Sequence, residues 1–151
     1  MKPIATIGYE AATVPRVIEA LKEAKVELLI DVRAIAASRR AGFSKTLLSG
    51  SLNEAGIEYL HLRWLGTPKE GRDAARAGRA AEMHEIFHEH MRTDAALAAL
   101  EQAVVESRQK RVCLLCLEAD PIACHRSIVA DMMRGETGAE VVHLHPLPAF
   151  L

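Results

Sequence analysis

Aromatic residues are scarce in this chain, at 4% with a single tryptophan, so its core has to be built from aliphatic side chains. Long apolar runs are missing too. None approaches the roughly 20 residues that cross a bilayer, and no charged-then-apolar leader precedes the first apolar segment. Neither membrane insertion nor secretion is expected. Charge of one sign is also lacking: the formal net charge is -1, which gives no global basic field of the kind that binds nucleic acid non-specifically. The cysteines number only three, and Cys113 and Cys116 share one apolar run, so no disulfide framework is expected and a reducing cytoplasm is the expected setting. Cys116 and Cys124 are too widely spaced to read as one of the tight ligand pairs of zinc sites, and no metal or cofactor is expected.

What the chain does have is a regular alternation of elements. With 151 residues, half of them hydrophobic, it can bury one core, and a single domain over residues 1–151 is expected. Ile4 to Ile7 reads as a strand broken by Gly8-Tyr9-Glu10. Thr13 can cap a helix that runs to about Ala24, with Val17, Ile18 and Leu21 at helical spacing. Val26 to Val32 is a second apolar strand. Ser44 can cap a helix ending at Gly56, and Ile57 to Leu62 is a third strand. The polar stretch from Gly66 to Gly78 reads as irregular, and helices follow over about 79–91 and, after Thr93, to about Ser107. His84 and His88 share a face of the first of these, which is expected to be solvated. Val112 to Leu117 is a fourth strand. Asp120 and Pro121 then suit the start of a helix carrying Cys124-His125-Arg126 in its first turns, and Ala139 to Leu144 is the fifth strand. Leu147 and Phe150, in the closing segment, are candidates either to cover the core or to join a neighbouring molecule. Strands and helices in this order predict an α/β fold, a three-layer α/β/α domain with an open, mostly parallel sheet of about five strands.

In such sheets ligands bind outside the carboxyl ends of the strands, and these ends collect most of the reactive side chains. They supply Gly8, Tyr9, Glu10, Asp31, Arg33, His61, Arg63, Trp64, Cys116, Glu118, His143 and His145. Arg39 and Arg40 lie in the loop after the second strand. With Arg126, Arg33 and Arg63 they predict an arginine-lined anion site, because planar guanidinium forks match phosphate or carboxylate. Cys124, placed in a helix's positive end beside His125 and Arg126, is one candidate nucleophile, and Cys116 at a strand end is the other. Each also has a plain structural reading as a buried apolar cysteine. Cys113 is expected in the core. His125, His61 or Glu118 can serve as acid or base.

The segments ATIGYE, LLIDVR, SRRAGF, IEYLHLRWLG, MRT, LLCLEADPIACHRSIVAD and EVVHL, in this order over nearly the whole chain, resemble the DUF488 family of small bacterial proteins. The resemblance implies an α/β domain and a polar cluster at Gly8, Tyr9, Asp31, Arg33, Arg39, Arg40, His61, Gly66, Cys116, Glu118, Cys124, His125 and Arg126. It implies no settled activity. The expectation favoured here is a cysteine-dependent hydrolase or transferase acting on a phosphorylated or nucleotide-like small molecule, with Asp31, Tyr9, Gly8 and Trp64 beside the arginines in the binding site. The competing expectation is a non-catalytic module that binds nucleotides or nucleic-acid ends, with Tyr9, Phe43 and Trp64 stacking bases.

Overall fold

The computed structural model describes residues 1–148. Among them five strands form one sheet in the order β3-β2-β4-β1-β5, with every neighbouring pair parallel. The strands are β1 (Ile4–Gly8), β2 (Leu28–Asp31), β3 (Glu58–His61), β4 (Val112–Cys116) and β5 (Val141–Leu144). The inner strands β1, β2 and β4 are buried along their full length, which is why their sequences are apolar without alternation. The edge strands β3 and β5 are only partly covered, and Glu58 and Val142 are exposed there.

Side chains on successive strand residues go to opposite faces, and each face meets its own helical layer. Ala5, Ile7, Leu29, Cys113 and Leu115 pack against Val17 and Leu21 of α1 (Val14–Glu23) and Leu48 and Leu52 of α2 (Lys45–Glu54). On the other face Leu28, Ile30 and Leu114 meet a layer of four helices: α3 (Lys69–Arg76), α4 (Ala80–His90), α5 (Asp94–Gln109) and α6 (Arg126–Thr137). Phe87, Leu100, Val129 and Met133 fill that interface. Cys113 and Cys116 therefore face opposite sides of the sheet.

Thr13 and Thr93 cap α1 and α5 by accepting from the backbone N–H of Arg16 and Ala96. Ser44 sits at the start of α2 but accepts from the N–H of Ser38 instead, tying down the preceding loop. Two regions differ from the sequence reading. The stretch expected to be irregular contains α3, whose buried positions are Gly71 and Ala74, so no apolar period announces it. Asp120 does cap, through Ile122 N–H at 2.9 Å, but the helix it starts is a single 3-10 turn, Pro121–Ala123. Cys124 is extended and α6 begins at Arg126, which places Cys124 and His125 just before that helix. His88 is exposed as expected, while His84 is partly covered. Leu147 is exposed, and Phe150 lies outside the described residues.

The strand order positions the site. From β2 the chain continues to β3 at one edge of the sheet, and from β4 to β5 at the other, although β2 and β4 are hydrogen-bonded neighbours. The loops leaving their carboxyl ends diverge, and a crevice opens where they part.

Candidate functional site

A cavity of about 320 Å³ occupies that crevice. Its floor and walls take Tyr9 from the end of β1, Arg33 from the end of β2, and Cys116, Glu118, Cys124 and His125 from β4 and the segment that follows. Thr67, Arg72, Ala75 and Arg76 enter from α3 and the turn before it, and Met83 from α4.

Close approach of chains shapes this end of the sheet. A Cβ on Gly8 would overlap the Glu118 carbonyl, so only glycine lets the segment after β4 fold back across β1. Glu10 fastens it there, its N–H donating to Leu117 O at 2.8 Å and its carboxylate accepting from Ala119 N–H at 3.1 Å.

Arg126 is the largest fully buried side chain. Its guanidinium donates to Thr6 Oγ1 at 3.1 Å, to Cys116 Sγ at 3.2 Å, and to the carbonyls of Glu118 and Ala119. Burial works against its charge and pulls its pKa down. It is a structural brace beneath the cavity that also points one N–H at a cysteine sulfur.

Arg33 is held by Asp31 in a two-pronged ion pair, Nε to Oδ1 at 2.9 Å and Nη2 to Oδ2 at 2.7 Å. Both side chains are almost entirely buried. Tyr9 accepts a further bond from Arg33 at 3.0 Å while stacking on Phe43, and Tyr59 donates to Asp31 Oδ2 at 2.6 Å. Burial opposes the charge on Arg33, yet the bond to Asp31 and the carboxylate's field leave its pKa raised. Burial and the same carboxylate also push the Tyr59 phenol up.

The sulfurs converge at the floor. Cys116 and Cys124 Sγ are in bonding contact as a disulfide, with their Cα atoms 7.3 Å apart. His125 Nδ1 lies 3.7 Å from Cys124 Sγ, and the opposite ring nitrogen, Nε2, is 2.7 Å from the Val32 carbonyl. That carbonyl can only accept, so Nε2 carries the proton and Nδ1 presents a lone pair. Burial pushes the His125 pKa down to about 4, which keeps the ring neutral. The Glu118 carboxylate lies 3.6 Å from Cys116 Sγ, and burial raises its pKa. Cys116, Cys124 and His125 are the three described residues whose ligand atoms gather as a metal site would need, all within 4.8 Å of one another.

Of the residues singled out in the sequence, the crevice brings together Tyr9, Asp31, Arg33, Cys116, Glu118, Cys124, His125 and Arg126, with Gly8 beneath the strap. The others lie elsewhere. Arg39 is exposed, and Arg40 donates to the Ala12 carbonyl. His61 bonds the Arg33 carbonyl at 2.7 Å but faces a separate depression, where the Arg63 guanidinium sits 4.5 Å over the Trp64 ring. Thr6, Tyr59, Thr67, Arg72 and Arg76 escaped the sequence reading. Thr6 alone carried a signal, a hydroxyl inside an otherwise apolar strand.

No helix among the described residues is long and apolar enough to cross a membrane. No curated protein and no solved structure shows significant similarity to the chain. A family profile described as "Domain of unknown function DUF488" matches residues 13–133, which takes in every crevice residue from Asp31 to Arg126, and the chain belongs to the DUF488 family.

Proposed function

We propose that the cavity is the active site of an enzyme acting on a phosphorylated or nucleotide-like small molecule, as a hydrolase or transferase whose reactive end is the thiolate centre of Cys116 and Cys124. The observation that carries this reading is the 3.2 Å contact between Arg126 Nη1 and Cys116 Sγ at the floor of the cavity. In the reduced protein a guanidinium there favours the thiolate over the thiol. A thiolate so placed serves as a nucleophile or as a metal ligand, and either use puts it at the end of the cavity where a substrate reacts. Arg72 and Arg76 line the same cavity and supply positive charge for an anion, with the Asp31-paired Arg33 in its wall, while the apolar side chains of Ala34, Ala75 and Met83 suit a base or a similar flat group. Glu118, whose pKa is raised chiefly by burial, lies 3.6 Å from Cys116 Sγ and is placed to exchange a proton with a leaving group there.

The test uses reduced, chelator-treated protein. Iodoacetamide should modify Cys116 faster than the same residue in denatured protein at neutral pH, and a nucleoside monophosphate should slow that reaction where the neutral nucleoside does not. Arg72→Ala should weaken the protection. If Cys116 reacts no faster than in the unfolded chain and no phosphate compound protects it, the reading fails.

One observation favours the rival reading, a binding module for nucleic-acid ends. Trp64 is 46% exposed under Arg63, an aromatic-cation pair on the surface outside the cavity. Loss of oligonucleotide binding in Trp64→Ala, with Cys116 unreactive, would favour it.

A further inference from the structure

We propose that Cys116, Cys124 and His125 form a binding site for a thiophilic divalent cation, zinc in the first instance, with its fourth coordination position open to the cavity. The inference rests on the reading of the cavity as the active site and assigns the thiolates their part in it, as ligands.

Three independent features point the same way. The first is convergence. Two sulfurs and an imidazole nitrogen lie within 4.8 Å of one another although they come from a strand end, an extended segment and a helix start. A tetrahedral zinc with bonds of about 2.3 Å to sulfur and 2.0–2.1 Å to nitrogen separates its ligand atoms by roughly 3.5–4 Å. His125 Nδ1 already stands 3.7 Å from Cys124 Sγ. The Cα atoms of the two cysteines are 7.3 Å apart, beyond the roughly 4.4–6.8 Å usual for a disulfide, so the reduced sulfurs have room to part around an ion.

The second is the orientation of the histidine. Its Nε2 is bonded to the Val32 carbonyl at 2.7 Å, at the end of the neighbouring β2. Metal-binding histidines are commonly fixed in this way, with one ring nitrogen donating to a backbone carbonyl so that the other presents its lone pair to the ion. Phe87 packs against the ring, its centroid 5.2 Å away, and limits rotation.

The third is charge. Two thiolates balance a divalent ion, and Arg126 Nη1, 3.2 Å from Cys116 Sγ, supplies the N–H bond that stabilises a coordinated sulfur. Three protein ligands with one position left over is the composition of a catalytic zinc centre, whereas structural sites use all four positions. The open position lies toward the cavity that Arg33 and Arg72 line, so an oxygen of a bound anion or a water can take it. Glu118 beside Cys116 is then the acid or base next to the ion.

The experiment begins with full-length protein kept reduced. Titration with zinc should reach about one ion per chain and should remove two of the three thiols from reaction with a disulfide reagent, leaving buried Cys113 as it was. Cobalt(II) in place of zinc should give a thiolate-to-metal charge-transfer band in the near ultraviolet and visible bands of tetrahedral intensity. Cys116→Ser, Cys124→Ser and His125→Asn should each lose stoichiometric metal, while Cys113→Ala should retain it. Circular dichroism shows whether each variant is folded, and the wild-type thiol count stands even where one is not. Absence of bound zinc in reduced wild-type protein overturns the inference. A cobalt spectrum unchanged in Cys124→Ser does the same, as does recovery of Cys116 and Cys124 as a disulfide under conditions where zinc was supplied. Zinc binding without any protection by phosphate compounds upholds this inference while the proposed function fails, and protection without zinc does the reverse.

Discussion

The two buried arginines of the crevice do different jobs, and their partners show why. Arg33 has a full counter-charge in Asp31, at 2.7 and 2.9 Å, with both side chains shielded from solvent. Breaking such a pair from one side leaves a buried charge alone, which costs about 3–5 kcal/mol. Tyr59 contributes one bond to the same carboxylate, worth about 1.5–3 kcal/mol. Urea unfolding should therefore rank Asp31→Asn as more damaging than Tyr59→Phe, and equal losses would refute the view that the carboxylate's charge is what holds Arg33. Arg126 has no such carboxylate. It is braced by a hydroxyl, a sulfur and two carbonyls, so a shorter single-headed cation cannot satisfy all of them. Arg126→Lys should lose about 2 kcal/mol or more through the carbonyls it leaves unpaired. A Lys variant as stable as the wild type would show that the fork geometry is dispensable. The sequence marked Arg126 as a ligand-binding residue because it joined Arg33, Arg39, Arg40 and Arg63 near the strand carboxyl ends, where planar forks match an anion. It could not show that the side chain is fully buried and bonded to groups of the protein itself.

At the scale of elements, helices that announce themselves by a cap and an apolar face were legible, and those that bury small residues were not. Thr13 and Thr93 mark α1 and α5, whose buried sides carry Val17, Leu21, Leu100 and Val104. The helix α3 buries Gly71 and Ala74, side chains too small to register as a hydrophobic stripe, yet it supplies Thr67's neighbours and the cavity residues Arg72 and Arg76. The segment after β4 was half legible. Its Asp120 cap is real, but the turn it opens stops after three residues, which leaves Cys124 extended and able to meet Cys116. Adjacency in sequence joins Cys124 to His125. Only the fold joins either of them to Cys116. That meeting depends on the segment lying flat across β1, where Gly8 touches the Glu118 carbonyl. In Gly8→Ala the Cβ forces the segment outward, so backbone amides from Leu117 to Cys124 should exchange with deuterium faster by at least about tenfold, roughly 1.4 kcal/mol of local opening. Unchanged exchange there, with exchange elsewhere also as in the wild type, would mean that the strap tolerates the methyl group.

For the molecule as a whole, alternation of apolar strands and helices was enough to predict the three-layer parallel architecture, and the crevice lies at the strand carboxyl ends where the rule for such sheets looks for one. The sequence could not supply strand order. That order sets β2 beside β4, so Arg33 and Cys116 share a cavity, while Arg63 and Trp64 at the edge strand β3 are directed to another depression. Order also joins the far side of the site to the edge strand β5, where His143 Nδ1 lies 2.6 Å from Thr6 Oγ1, the hydroxyl that braces Arg126. Partial burial lowers the pKa of His143, the cations Arg126 and His145 add to the shift, and Asp131 opposes it. A histidine whose native pKa lies below its unfolded value of about 6.5 binds fewer protons when folded, so its contribution is fully present above that value. It is lost as pH falls through about 6.5 toward the native pKa, because protonation then favours the unfolded chain. His143→Gln keeps an amide for Thr6 and removes the titration. Unfolding of metal-free, reduced protein measured between about pH 7 and pH 5 should show the wild type losing more stability on acidification than His143→Gln. Parallel curves for the two proteins would mean that His143 takes up its proton as readily in the native sheet as in the unfolded chain, and that the Thr6 contact imposes no constraint on the imidazole.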